Sequence, residues 1–385
     1  MMTQEYRPSI VELEASLDWL SLSLTPGLGS RLTGKLLRQF GSPEKIFRAS
    51  LTELESCHLP AAPAQAIHAK RAHKDAETEL AQIRKLGCRL LNWDEPEYPL
   101  RLLEIYDPPP LLYVRGDAGV LNRHSISMVG TRRPTPYGNQ VAERLARDLA
   151  ERRLTIVSGM ARGVDSSAHQ GACKALHGAT VGVLGTGIDV VYPKENKKLF
   201  AEVEKRGALI SEFPLGTHPA PENFPVRNRI VAGMSLGTVV VQGAQYSGSL
   251  ITARLAMEFG REVYGVPGNI TTDVSFAPNQ FIKQGAKVVT SWEDVIEELP
   301  TEIRAELFPV DETTGEERVS LFIAALSPIE KKVFALLAVD DSIHVDEVVE
   351  RSELTSSEVL AALCEMEMKG MVRQMPGKQF VKVLL

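Results

Sequence analysis

The spacing of hydrophobic positions changes character along this chain. From residue 125 onward, short apolar runs alternate with amphipathic stretches: SISMVGT then YGNQVAERLARDLAERR, LTIVSG then ARGVDSSAHQGACKAL, ATVGVLG then NKKLFAEVEKR, ALISEF then FPVRNRIVAGMS, GTVVVQG then SGSLITARLAMEFG, and last REVYGVP. A continuous β-branched run fits a strand buried on both faces, and helices between such strands make them parallel. The pattern predicts an α/β core built on a doubly wound sheet. Ligands of such sheets bind beyond the carboxyl ends of the strands.

The flanks read differently. SIVELEASLDWLSLS and a segment from about Ala61 to Leu86 carry apolar residues three and four apart, which predicts helices. Between them Pro26-Gly27-Leu28-Gly29 forms a tight turn opening an amphipathic helix, the pattern of a helix-hairpin-helix or sterile-alpha-motif-like unit. Such a turn can offer backbone N–H groups to a phosphate, with Arg31, Lys35 and Arg38 nearby; it serves equally well as a plain packing turn. Residues 29–35 nearly spell a phosphate loop, but Leu36 stands where Ser or Thr would hold magnesium and no strand precedes it, which excludes the ATPase reading. At the other end SPIEKKVFALLAV, HVDEVVERS and TSSEVLAALCEMEMKG read as three helices, and MVRQMPGKQFVKVLL as a hairpin around Pro376-Gly377. Three helices and a hairpin make a winged helix. The expected organisation is a helical domain at 1–95, the α/β core at 96–300, an acidic linker at 301–318 and a winged helix at 319–385.

At 385 residues the chain is long enough for two or three domains. No apolar run approaches the roughly 20 residues that span a bilayer, and MMTQEYRPSI lacks the regions of a signal peptide, so a soluble cytoplasmic protein with no membrane span is expected. Cys57, Cys88, Cys173 and Cys364 are scattered without a CxxC pair, which supports neither a disulfide framework nor a metal site. The net charge of −6 counts against nucleic acid when taken whole. Divided along the chain it is −1 for residues 1–99, +2 for 100–300 and −7 for 301–385. The acidity belongs to the C-terminal part, and the core is mildly basic.

Several strand ends in the core carry glycine or serine loops leading into helices: Gly130-Thr131-Arg132-Arg133, residues 158–163 with Arg162 and Gly163, Gly185-Thr186-Gly187, and Ser247-Gly248-Ser249. Each can turn backbone N–H groups and a helix dipole toward an anion. One such loop often only relieves strain, whereas several at one sheet edge point to a phosphate-lined surface. None is a dinucleotide fingerprint, since Gly185-Thr186-Gly187 lacks its third glycine. Arg227 and Arg229 flank Asn228 in FPVRNRI, and residues two apart on a helix diverge by about 200°. They therefore suit either an irregular segment or two different partners, one in a buried pair with an acid such as Glu212 and the other gripping phosphate. Lys194, Lys197 and Lys198 add charge after the third strand, and Tyr137, Tyr192, Phe200, Phe224 and Tyr246 offer rings that can stack on bases. Asp165 and His169 sit four apart, but capping and packing account for them, and no triad, HExxH or carboxylate pair emerges. No catalytic residue, metal or cofactor is expected.

These residues carry a resemblance. DPPPLLYVRGD (107–117), VGTRRPTPYG (129–138), SGMARGVDSSAHQGA (158–172), VLGTGIDVVYPKEN (183–196), SEFPLG (211–216), FPVRNRIVAGMS (224–235), SGSLITARLAMEFGREVYGVPGNI (247–270) and IKQGA (282–286) resemble the DprA (Smf) family of bacterial DNA-processing proteins in the family's order. The resemblance implies an extended Rossmann core with optional helical and winged-helix flanks. It implies a homodimer that binds and protects single-stranded DNA in natural transformation and loads RecA recombinase, without catalysis. Its DNA-binding loop maps to Gly130, Thr131 and Arg132, its FPxRNR pair to Arg227 and Arg229, and further contacts to Lys194, Lys197 and Phe200. Two departures touch the pocket: Gln242-Gly243 where the family usually has Glu-Ala, which removes a carboxylate, and Ala277-Pro278-Asn279 where it often has Gly-x-Asn. The rival reading is a phosphoribohydrolase-like nucleotide-processing enzyme, but QGAQYSGSLITARLAME lacks the glutamate of the PGGxGTxxE motif. A duplex-reading regulator is disfavoured because the expected recognition helix has one lysine against three glutamates.

Overall fold

The structure, a computed structural model, describes residues 10–308, 326–338, 342–368, 371–375 and 377–382. Residues 309–318 of the expected linker and Pro376 of the expected hairpin turn lie outside these. The chain divides into two compact units, Met1–Leu307 and Phe308–Leu385.

Nine strands of the first unit form one sheet: β1 (Arg89–Asn92), β2 (Leu111–Gly116), β3 (Ser125–Val129), β4 (Thr155–Ser158), β5 (Thr180–Val183), β6 (Ala208–Ser211), β7 (Gly237–Val240), β8 (Glu262–Gly265) and β9 (Lys287–Val288). Their order is β1-β2-β6-β5-β4-β3-β7-β8-β9. All six strands expected from the apolar runs are present, and the seven from β6 across to β9 are parallel. Two strands not expected, β2 and β1, extend the β6 edge antiparallel. The chain builds outward from β3 through β6, then returns to the other side of β3 for β7 and β8. The reversal leaves a crevice between β3 and β7, where neighbouring connections leave on opposite faces.

Helices cover both faces: α7 (Pro136–Glu151), α8 (Val164–Lys174), α9 (Lys197–Arg206), α10 (Asn223–Gly233), α11 (Gly248–Glu258) and α12 (Phe276–Lys283) follow six helices of the N-terminal segment. Those six are α1 (Ile10–Ser23), α2 (Ser30–Phe40), α3 (Pro43–Arg48), α4 (Leu51–Ser56), α5 (Ala61–His68) and α6 (His73–Lys85). Local chemistry sets their ends. Gly41 takes a left-handed φ of 85° to close α2, and Ser50 with Glu53 forms a capping box on α4.

Alternate residues along the central strands serve opposite cores. Ile126, Met128 and Ile156 pack toward α7 and α8, whereas Val157, Val183 and Val240 pack toward α10 and α11. A third core joins the N-terminal helices to the sheet, combining Leu20, Leu36, Ile46, Leu54 and Ile67 with Leu111, Tyr113, Leu199 and Phe200. Each fully buried Leu or Ile contributes about 1.5–3 kcal/mol, so the helical layer cannot lift away without exposing a large apolar surface. No helix of the described residues is long and apolar enough to cross a membrane.

The second unit is a winged helix. Helices Pro328–Leu336, Val345–Ser352 and Ser356–Met368 pack on an antiparallel sheet of Ile343–His344, Gln379–Lys382 and Val372–Met375 around Val333, Val348, Leu363 and Phe380. Ser327 and Glu330 form the capping box that starts the first helix. On Ser356–Met368 the exposed side carries Leu360, Glu358, Glu365 and Glu367.

His169 of α8 is fully buried, its Nδ1 2.7 Å from the Thr180 hydroxyl. Burial, reinforced by the nearby Arg227 charge, lowers its pKa from 6.5 to about 3. The unfolded chain therefore takes up a proton near pH 6.5 that the folded one refuses, and stability falls as pH drops through the window toward 3. Urea unfolding of wild type and His169→Asn across that window tests this. The variant should lose less stability on acidification, and parallel curves would count against it.

Candidate nucleic-acid interface

The crevice between β3 and β7 opens into a cleft of about 1290 Å³. Its construction begins where two loops interlock. A Cβ at Gly130 would stand 2.5 Å from Val164 Cγ2, so the loop after β3 presses against the start of α8 only because that position is glycine. Gly163, at a left-handed φ of 75°, brings the other loop under it, and the Val164 N–H donates to the Thr131 carbonyl at 3.3 Å. Across the crevice the Thr131 N–H donates to the Gln242 carbonyl at 2.7 Å. The Gln242 side chain accepts from the Thr135 N–H at 2.9 Å and donates to the Thr135 hydroxyl at 2.9 Å. At the position where the resemblance implies a carboxylate, the buried amide of Gln242 thus uses both of its functions to tie the loop after β7 to the start of α7.

The floor is a buried charge. Arg227 is 4% exposed; its Nη1 donates to the carbonyls of Gly159, at 2.7 Å, and Val183, and its Nε donates to Asn228 Oδ1 at 3.3 Å. Its Nη2 carries no hydrogen bond among the described residues. Burial lowers its pKa to about 10, with Asp165 opposing that shift, so the guanidinium stays charged at neutral pH. Asp165 is likewise buried, and burial raises its carboxyl above the usual range, with Arg227 holding the rise back. A Cβ at Gly159 would lie 2.6 Å from Arg227 Nη2 and 2.7 Å from Asp165 Oδ2. Only glycine lets both groups gather beneath the loop.

Above this floor Arg132 and Arg133 are exposed and form no ion pair with any described residue. The Arg132 guanidinium lies 5.3 Å from the centre of the Phe224 ring, which stands 5.6 Å from that of Tyr192. On the opposite wall Ser247 caps α11, its hydroxyl 2.8 Å from that of Ser249. Tyr246 and Ile270 project from the rim at 92% and 91% exposure, with Phe276 and Lys283 beside them in the lining. Among the described residues no three His, Cys, Asp or Glu side chains converge as a metal site requires.

Of the residues singled out in the sequence, the cleft gathers Gly130, Thr131, Arg132, Arg227, Asn228, Ser247, Gly248 and Ser249. Gly163 shapes the loop beneath it. Arg162 lines a smaller recess with Gly185 and Tyr192 and is held by Glu195. Lys194 and Lys197 are exposed but outside the lining. Two candidates are engaged elsewhere. Arg229 is bound by Glu212 at 2.6 Å and Asp107 at 3.1 Å; burial works against its charge, but the two carboxylates more than offset it and raise its pKa. Phe200 is 5% exposed in the core shared with the N-terminal helices. The structure also brings Arg133 of the first glycine loop into the lining, and the residues it adds there include Ile270, Phe276 and Lys283. Of these Arg133 stood in the recognised loop, Ile270 closed the recognised stretch 247–270 and Lys283 stood in IKQGA, whereas Phe276 carried no signal.

Comparison with known proteins fits this geometry. Residues 89–300 match the family model of DNA recombination-mediator protein A, and residues 323–378 match that of the DprA winged helix domain. Protein Smf of Synechocystis is 30% identical over 94% of this chain and 97% of its own length, and Protein Smf of Escherichia coli is 36% identical over 79% and 80%. The X-ray structure of DNA processing protein A from Streptococcus pneumoniae superimposes with a TM-score of 0.66 at 32% identity, covering 77% of this chain and 99% of that one. The protein of the same name from Helicobacter pylori, described for its single-stranded DNA binding mode, gives 0.50 at 30% identity over 55% and 94%. The chain is therefore a member of the DprA/Smf family of DNA recombination-mediator proteins, with the family's winged helix domain at its C-terminal end.

Proposed function

We propose that the cleft binds single-stranded DNA and that the protein, a cytoplasmic homodimer, protects incoming strands in natural transformation and helps load RecA onto them without chemistry of its own. The observation that carries this reading is the state of the cleft's cations. Arg132 and Arg133 are exposed without an ion pair among the described residues, and Arg227 lines the floor with one guanidinium nitrogen unbonded. Exposed arginines with no carboxylate partner among the described residues are free to engage a phosphate backbone, and neutralising phosphates releases the strand's counterions. Phe224, Tyr192 and Tyr246 offer faces on which any unpaired base stacks, worth about 1–3 kcal/mol per base, which suits a strand without sequence preference. Two such clefts in a dimer gain avidity from modest single sites. The name given to the Helicobacter relative agrees with a single-strand site.

The winged helix serves a different partner on this reading. Its expected groove-reading helix shows carboxylates outward, which phosphates repel, so it contacts protein.

Measuring oligo(dT) and duplex affinity at several salt concentrations tests the site. Wild type should prefer the single strand with a steep salt dependence. Arg132→Ala should lose about 1.5–3 kcal/mol of strand binding, roughly 10- to 100-fold, at unchanged thermal stability. Arg229→Ala should do the reverse in kind, costing about 3–5 kcal/mol of stability by stranding Glu212. Equal preference for duplex, or an Arg132→Ala protein that binds as wild type, would refute the assignment. Removing residues 319–385 should leave single-strand affinity within about twofold, by the same bookkeeping; a collapse would place DNA contacts on the winged helix.

A further inference from the structure

We propose that the exposed face of α2 continues the single-strand track out of the cleft, binding backbone phosphates through Arg31, Lys35 and Arg38; this rests on the cleft reading above. Within its eleven residues, SRLTGKLLRQF, α2 holds these three cations and no acid. They fall at positions i, i+4 and i+7, one stripe of a helix about 10 Å long. All three are exposed and form no ion pair with any described residue, while Thr33, Leu36 and Leu37 bury the opposite face. Two other exposed helix faces carry their own counter-charge, Arg48 pairing with Glu44 and Arg351 with Glu347.

Placement separates this stripe from a merely solvated one. The Arg31 guanidinium lies 5.0 Å from the centre of the Tyr106 ring, and that ring is 67% exposed. Next in sequence, Asp107 binds Arg229 at 3.1 Å, and Arg229 also donates to the Ser30 hydroxyl at 3.3 Å. Arg229 sits on α10 two residues beyond Arg227, which lines the cleft floor. The start of α2 is thus fixed against the helix that carries the cleft's own arginine. Tyr106 beside Arg31 and Val226 of α10 are exposed, apolar ground on which bases can rest. Stacking on Tyr106 leaves the edge of the Arg31 guanidinium free to donate to phosphate oxygens.

The experiment compares Arg132→Ala with the triple substitution Arg31→Gln, Lys35→Gln, Arg38→Gln in the full chain, on fluorescent oligo(dT) of two lengths. The short one, about 6 nucleotides, fills the cleft alone, and the long one, about 25, reaches beyond it. The triple variant should bind the short strand as wild type. It should bind the long strand about tenfold or more weakly, with a log–log salt slope shallower by about 2, since each single-strand phosphate contact contributes about 0.7. Arg132→Ala should weaken both lengths. Wild-type affinity and slope of the triple variant on the long strand would overturn the stripe while leaving the cleft intact. Long-strand loss in the triple variant with Arg132→Ala silent would count against the cleft and leave the stripe standing.

Discussion

A buried cation organises this molecule. Arg227 is enclosed at the carboxyl ends of β4 and β5, held by the carbonyls of Gly159 and Val183 and facing the carboxyl of Asp165 across a position that only glycine can occupy. Taking a guanidinium out of water costs several kcal/mol unless hydrogen bonds and opposite charge replace the lost solvation. Here one nitrogen carries no hydrogen bond among the described residues, and Arg227 lines the cleft. The surrounding construction makes this tolerable: the sheet reverses between β3 and β7, the loops interlock at Gly130 and Gly163, and Gln242 ties the two sides together.

Arg229, two residues on, shows the contrasting solution. Its charge is matched by Glu212 and Asp107, which joins α10 to the segment after β6 and the segment before β2. One arginine holds the frame and the other lines the cleft. The N-terminal helices share in that frame. Ser30 reaches Arg229, and Glu79 of α6 accepts from the Tyr113 hydroxyl at 2.8 Å and from the Leu215 N–H at 2.7 Å, in the connection between β6 and α10. The helical layer is therefore a wall of the core, and its contacts bear on the segment that supplies Pro219 and Pro221 to the cleft.

Much of this was legible in the sequence. Doubly buried parallel strands announce themselves as unbroken β-branched runs, and all six such runs are strands. The edge strands β1 and β2 were not read, because four residues of RLLN give no period and β2 was visible only inside a longer motif. Glycine loops with arginines at strand ends identified the ligand edge. Spacing leaves Arg227 and Arg229 either an irregular segment or two different partners, with Glu212 nameable as one of them, and the helical conformation of α10 selects the second. Which arginine takes Glu212 depends on Asp107, 122 residues away in sequence, and no local pattern reports that. Phe200 is a contact candidate through the family resemblance and as one of the rings near the glycine loops, and the structure buries it. With Leu199 and Val203 it forms the apolar stripe of α9, and the helical period places it inside. The net charge of −6 misleads for a related reason, since it averages a basic cleft with an acidic C-terminal part.

The central claim is that the buried charge at the cleft floor is there for phosphate. Substituting Arg227→Met removes it at similar volume, and Asp165, whose carboxyl burial already raises, can take a proton in its absence. Titrating that variant with single-stranded oligonucleotide across a salt series is the most direct measurement. The account predicts a folded protein whose strand affinity is about tenfold or more below wild type, with a salt slope shallower by about 0.7, the signature of one lost phosphate contact. A folded variant with wild-type affinity and wild-type slope would contradict it.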